Sequence, residues 1–302
     1  MGYIFVICAY FLWGILPLFW KQLAHVPAAE IIFHRMLWSF VSMGVLLTAL
    51  RNWKWIALLR ESPKMLLWGF LSAALIAGNW FIFIWAVNNG YIVEASLGYF
   101  INPLLSIALG IIVLKEGVRR VQIFAIIVAA LGVCYLTFVY GHFPVVAFVL
   151  AATFGIYGLI RKMIPFGALS GLFVETAFMF LPAVFCLVHL ESSGNGTFSD
   201  SSFSTQALLL ITGVATITPL LFFAAGVRKI PLYTVGFLHY IAPTLQFLIG
   251  VFVYNEKFSF SQLVGFCFIW LAIVIFCVES YVFYKNNKAV MVGLSPATDD
   301  SA

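Results

Sequence analysis

Charge is what this sequence has least of: aspartate, glutamate, lysine and arginine together make up 9% of its 302 residues. A soluble fold of that length needs far more polar side chain to cover its surface. Cysteine is also scarce. Cys8, Cys134, Cys186, Cys267 and Cys277 are odd in number, sit inside apolar runs and show no CxxC or Cys/His spacing. They are expected to be buried packing residues, not disulfides or metal ligands. There is no HExxH, no GxSxG, no P-loop and no GxGxxG, and His25, His34, His142, His189 and His239 are scattered. These absences argue against a metalloprotease, a serine hydrolase, a nucleotide-driven pump on this chain and a dinucleotide enzyme. No ring of carboxylates or carbonyl-rich filter marks an ion channel. The sequence therefore predicts no enzyme, no cofactor, no metal and no nucleic-acid partner.

What fills the chain is apolar: 64% of residues are hydrophobic and 18% aromatic, and the mean hydropathy is +1.08. A bilayer crossing needs roughly 20 consecutive apolar residues, and ten such spans are predicted near 3–19, 28–50, 65–86, 91–114, 121–140, 143–160, 168–190, 207–227, 232–254 and 261–284. The first has no basic n-region and no small-residue cleavage site, so it reads as a retained helix. The tail is polar and small and is expected to be disordered over 286–302. Asn195-Gly196-Thr197 forms a glycosylation sequon, a pattern that often arises by chance.

The chain repeats itself. The stretch from Ala95 to Glu116 is matched by Val235 to Glu256, and a constant offset of 140 pairs Pro103 with Pro243, Gly110 with Gly250, Glu116 with Glu256 and Gln122 with Gln262. The predicted organisation is a first repeat at 1–140 and a second at 141–285, each of five spans. Basic residues test the count. Arg51, Lys54, Arg60, Lys64, Lys115, Arg119, Arg120, Arg161, Lys162, Arg228, Lys229, Lys285 and Lys288 fall on one side, while only Lys21 and Lys257 fall on the other. By the positive-inside rule both termini are cytoplasmic. An odd number of spans per repeat inverts the second copy. Its loops exchange basic residues accordingly, Arg119-Arg120 becoming Ser259-Phe260 and Val87–Gly90 becoming Val227–Ile230 with Arg228 and Lys229.

Polar residues inside spans are the functional candidates, because an arginine facing lipid at the bilayer centre costs about 2.5 to 3.5 kcal/mol. Arg35 either touches a solute, structures the outer gate or ties helices together, and Glu94 is its expected partner. Glu175 and His239 lie at a comparable inner level and are the proton-coupling candidates. The alternative for His239 is a hydrogen-bonded packing residue equivalent to Tyr99. Pro103 and Pro243 are expected to break their helices and to free a carbonyl beside Tyr99 and Asn102. Together with Asn79-Trp80 these residues predict a mostly apolar pocket for a small amphipathic solute.

The two proline helices ending in VLKE and VYNE, the five-span halves and the early arginine of the second span resemble the EamA family of the drug/metabolite transporter superfamily. The segments YFLWGILPLFWK, FHRMLWS, GNWFIFIWAVNNGYIVEASLGYFINPL and HYIAPTLQFLIGVFVYNE are similar to its RarD subgroup of chloramphenicol-sensitivity proteins. The resemblance implies a bacterial inner-membrane carrier with its cavity between spans 1, 3, 4, 6, 8 and 9. It places Trp13, Asn79, Trp80, Tyr99, Asn102, Tyr157 and His239 near the pathway. Asn79-Trp80 becomes Pro219-Leu220 in the second repeat and Asn102 becomes Ala242, so the cavity is expected to be chemically asymmetric. The reading is an all-α secondary transporter working by alternating access, with export as the expected direction. Its expected partners are the lipid bilayer, a small-molecule substrate and H+ as the coupling ion, and the chain is expected to act as a monomer or homodimer. A passive channel or scaffold is the alternative, and a membrane-embedded enzyme is third.

Overall fold

The computed structural model describes residues 1–53, 56, 64–89, 91–164, 167–255 and 259–293. Lys54, Arg60, Glu256 and Lys257 lie outside the described residues, as does 294–302. The helices are α1 (Gly2–Trp20), α2 (Ala28–Ala49), α3 (Lys64–Asn88), α4 (Ile92–Ile112), α5 (Arg120–Tyr140), α6 (Val145–Met163), α7 (Ala168–Ser192), α8 (Phe203–Val227), α9 (Leu232–His239), α10 (Ile241–Phe252) and α11 (Phe260–Gly293). With α9 and α10 taken as one crossing, ten segments are long and apolar enough to span a membrane. Among the described residues there are helices and no strands, as an apolar solvent that cannot satisfy a sheet edge demands.

The mates at the 140-residue offset pack on one another, and they run antiparallel. Along α4 and α9, Gly110 faces Tyr233, Gly236 faces Pro103 and Ile107, and the Tyr240 hydroxyl donates to the Phe100 carbonyl at 3.3 Å. Residue numbers fall on one helix as they rise on the other. The same holds for α5 and α11, where Gly132 meets Phe268 and Leu136 meets Gly265. The remaining packing is reciprocal: α4 lies on α6 and α10 on α1, α3 on α6 and α8 on α1, α2 on α8 and α3 on α7. Exchanging the halves maps each of these pairings onto another.

The outward faces are apolar. Phe138 is 86% exposed, Phe185 73% and Phe124 56%, surface that is tolerable only against lipid. This corrects the expectation for the cysteines: all are free, but Cys134, Cys267 and Cys277 are exposed. An apolar run in a membrane helix has a lipid face as well as a packed face, so it does not imply burial. The tail differs too, since α11 continues past 284 to Gly293.

The two offset-related prolines behave differently. Pro243 interrupts its crossing: α9 ends at His239, Tyr240 N–H bonds back to Phe237 in a tight turn, and α10 begins at Ile241. The break falls where proline removes a donor and crowds the carbonyl four residues earlier. Pro103, expected to do the same, lies inside an unbroken α4. Helix α4 packs on α6 and α9 along its length, and membrane helices tolerate such a proline where neighbours surround them.

A Cβ at Gly236 would sit 2.6 Å from both the Pro103 carbonyl oxygen and Ile107 Cγ1, whereas one at Gly78 would meet nothing within 4 Å. Gly236→Ala is therefore expected to destabilise the protein by about 1–3 kcal/mol. Gly78→Ala should be neutral or slightly stabilising, by up to about 1 kcal/mol. Thermal unfolding of the detergent-purified variants checks the pair; equal melting temperatures would mean that α4 and α9 are not packed at this distance.

Candidate functional site

A cavity of about 730 Å³ opens at the end of the molecule that carries Lys21 and the α1–α2 turn. Helix α1 contributes Trp13 and Trp20, α2 contributes Ile32 and Arg35, α3 contributes Asn79 and Trp80, and α4 contributes Tyr99 and Asn102. The far wall is Leu150 and Phe154 of α6, with His239, Ala242 and Gln246 flanking the α9–α10 break. Helix α2 lines this cavity where α8 was expected. From α8 the only polar contact with the wall is Thr216, whose hydroxyl accepts from Arg35 Nε at 3.1 Å.

Arg35 is placed by aromatic rings. Its guanidinium carbon lies 4.8 Å from the Trp20 ring centroid and 4.4 Å from that of Trp80. The expected partner, Glu94, is elsewhere: its oxygens accept from Val146 N–H at 2.8 Å and from the Tyr140 hydroxyl at 3.2 Å. That carboxylate closes the corner where α5 ends and α6 begins, satisfying an amide that the first turn of α6 leaves free.

The polar side chains of the wall are largely committed to holding helices. Asn79 Nδ2 donates to the Leu150 carbonyl at 2.9 Å and to Thr153 Oγ1 at 2.8 Å. Asn102 Nδ2 donates to the Ala151 carbonyl at 3.1 Å. Gln246 Nε2 donates to the Trp13 carbonyl at 3.2 Å. Each crosslinks two crossings; Asn102 and Gln246 keep one N–H beyond these bonds, and the Asn102 oxygen accepts from Ser106 at 3.4 Å.

The floor is aromatic. His239 stacks on Tyr10 with ring centroids 4.6 Å apart and meets Phe154 at 5.6 Å. Trp13, Phe154, Phe223 and Tyr157 complete the cluster. His239 is 5% exposed, and its Nδ1 is buried with no hydrogen-bond partner among the described residues.

Beneath the floor lies a polar layer facing the basic end of the molecule. Glu175 Oε1 accepts from Ser72 at 2.6 Å and pairs with Arg161 at 3.0 Å, and its Oε2 accepts from the Tyr157 hydroxyl at 3.3 Å. Glu175 and Arg161 are almost wholly buried. Tyr157 therefore serves this layer and does not line the cavity. Glu175 and His239 are linked only through the Phe154 and Tyr157 rings, so the adjacent protonatable pair expected from sequence does not form. Further toward the basic end, Glu116 accepts from Leu232 N–H at 2.8 Å and Tyr233 N–H at 3.0 Å and pairs with Lys162 at 3.2 Å. Lys162 also donates to the Ile230 carbonyl at 2.5 Å. The cavity is thus open at one end and closed at the other by a ring cluster and two ion pairs.

Sequence reasoning missed Trp20, Thr216, Gln246, Arg161 and Lys162. Gln246, a lone amide one turn after Pro243, was a readable signal. Arg161 and Lys162 were read only as side markers.

Comparison with known proteins places the chain among transporters. The EamA-like transporter family matches residues 1–138. "Protein RarD" of Escherichia coli (strain K12) is 42% identical over 95% of this chain and 97% of its own length. "Uncharacterized transporter YojE" of Bacillus subtilis (strain 168) is 44% identical over 95% of this chain and 97% of its own length. "Chloramphenicol-sensitive protein RarD" of Pseudomonas aeruginosa is 30% identical, covering 91% of this chain and 92% of its own. A solved crystal structure superposes with a TM-score of 0.67 at 18% identity, over 91% of this chain and 96% of that one, a likeness of fold.

Removing Glu175 would leave Arg161 buried without a counter-charge, which typically costs about 3–5 kcal/mol. Glu175→Ala is expected to lose that much stability, and the double variant Glu175→Leu/Arg161→Met substantially less. A thermal double-mutant cycle measures the difference, and additive losses would show that the two side chains are not coupled.

Proposed function

The chain belongs to the EamA-like transporter family as a RarD-like, multi-pass protein of the bacterial inner membrane, and from that premise we propose that it is a secondary carrier exporting a small organic solute by alternating access. The observation that carries this reading is the one-sided cavity: an apolar pocket open beside Lys21 and sealed toward the basic end. The antiparallel mates support the mechanism. A half-turn exchange of the halves converts the principal helix pairings into one another, so the same pairings rearranged would give a cavity open to the opposite side. We read the orientation from the positive-inside rule, with Lys162, Arg161 and both termini cytoplasmic, which makes the cavity outward-facing.

Within this reading the inner gate is Lys162 with the Ile230 carbonyl and Glu116 with the Leu232 and Tyr233 amides. The Arg161–Glu175 pair latches α6 to α7 beneath the floor. We assign proton coupling to Glu175, whose oxygens accept from Ser72 and Tyr157 as well as Arg161: protonation would weaken its hold on Arg161 and unlatch the layer. His239, with a buried ring nitrogen at the cavity floor, is the second candidate.

The test is accessibility from both faces. Ala242→Cys, introduced into a cysteine-free background, should react quickly with an impermeant maleimide from the Lys21 side. It should react slowly from the Lys162 side, and adding Lys162→Met should speed the slow reaction selectively. Equal labelling from both faces would indicate a channel, and labelling from one face regardless of the gate variant would indicate a static scaffold. In vesicles, Glu175→Gln should flatten the pH dependence of uptake, and an unaltered profile would remove Glu175 from coupling.

A further inference from the structure

The transporter reading leaves the chemistry of the solute open, and one side chain narrows it. Arg35 is a permanent cation on a cavity wall. Its guanidinium carbon lies 4.8 Å from the Trp20 ring centroid and 4.4 Å from that of Trp80. Its Nε edge is committed to Thr216. What remains is the terminal pair of nitrogens beside the two rings. That fork matches the two oxygens of a carboxylate.

No counter-ion answers it from within. Among the described residues no carboxylate lies within ion-pair distance of Arg35, and the cavity lining contains neither aspartate nor glutamate. The nearest sequence candidate, Glu94, is spent on the α5–α6 corner. Every other buried cation of the cavity's surroundings is neutralised, as Arg161 is by Glu175. Stacking on indole offsets part of the cost of a poorly solvated guanidinium but supplies no negative charge.

The rest of the wall sets the remainder of the ligand. Asn79 has committed both amide N–H groups, and Asn102 and Gln246 one each, to neighbouring helices, so among the described residues the charged donor on the inner wall is the single Arg35 fork, one positive charge that matches a monoanion better than a dianion. Among the described residues the other cation of the lining, Lys21, stands at the mouth with its ammonium over the Tyr254 ring at 5.2 Å. Trp13, Phe154, Ile32 and Leu16 offer apolar surface for an apolar or aromatic body. We propose that the cavity takes organic monocarboxylates, with the carboxylate clasped by Arg35 beside Trp20 and Trp80 and the apolar body lying against Trp13 and Phe154. This rests on the carrier reading above for its consequence, but its test is a binding experiment that stands apart from transport.

The probes are matched sets: 3-phenylpropionate, its primary amide and 3-phenylpropylamine, then hexanoate, hexanamide and hexylamine, with phenyl phosphate as the dianion. Binding to the detergent-purified full chain is read by tryptophan fluorescence and by the shift in melting temperature. The acids are expected to bind at least about tenfold more tightly than the amides or amines, as one charge-assisted contact implies. They should also bind more tightly than phenyl phosphate. Arg35→Gln should erase the preference, and Arg35→Lys should restore part of it. Amides binding as well as acids, phenyl phosphate binding best, no binding by any of the seven probes, or an Arg35→Gln protein that still prefers acids would each overturn the proposal. If Arg35→Gln does not fold, the ranking on the wild-type protein decides alone. Acid-selective binding without saturable flux of 3-phenylpropionate in proteoliposomes would sink the carrier reading and leave this one standing. Saturable flux of chloramphenicol that the acids do not inhibit would do the reverse.

Discussion

Inside a bilayer, an amide N–H at the start of a helix has no water to turn to, and this structure meets that demand with buried carboxylates. Glu94 takes Val146 at the start of α6, and Glu116 takes Leu232 and Tyr233 at the start of α9. Glu30, almost wholly buried, takes the Thr197 amide and hydroxyl in the turn before α8. Glu94 and Glu30 do this from the first turns of α4 and α2, and Glu116 from just beyond the end of α4. The short turns that these contacts lock are what allow so many apolar helices to be stacked with a hollow between them.

Against that pattern the polar groups of the core fall into two kinds. Most are paired, and their role is to hold helices at fixed separations: Asn79 and Asn102 on α6, Gln246 on α1, Glu175 on Arg161. Others are left incomplete, among them His34 Nε2, Ser39 Oγ and Arg161 Nε, and two of the incomplete groups border the hollow: the Arg35 fork and the buried Nδ1 of His239. Incompleteness in a low-dielectric setting is costly, and at these two a visitor can relieve it.

Much of this was legible in the sequence because membrane helices are written in runs of constrained length. The span count follows from apolar runs; Arg35, Asn79, Asn102 and His239 stood out as polar residues inside them, and Trp13 came from the family resemblance, and all of these line the cavity. The partners were not legible. Arg35 meets Thr216, 181 positions away, and nothing in the local pattern distinguishes that threonine from others facing backbone carbonyls. Glu94 was assigned by depth alone, and depth says nothing about azimuth around the bundle. Lys162 satisfies the positive-inside rule whether or not it reaches Glu116, so its second role was masked by its first. The two prolines show the limit most clearly. They share a local motif, yet only the Pro243 crossing is divided, and the sequence around the two prolines does not say which.

That unequal pair of prolines has a mechanical meaning. The α9–α10 crossing is divided at Tyr240, and its mate α4 runs unbroken. Bending at the division would carry Ala242 and Gln246 relative to His239, moving cavity floor and cavity wall separately, whereas α4 has no such division. In the carrier proposed above, the two strokes would therefore not be mirror images. One would be a bend and the other a rocking, with distinct activation enthalpies even though the architecture that executes them is nearly symmetric.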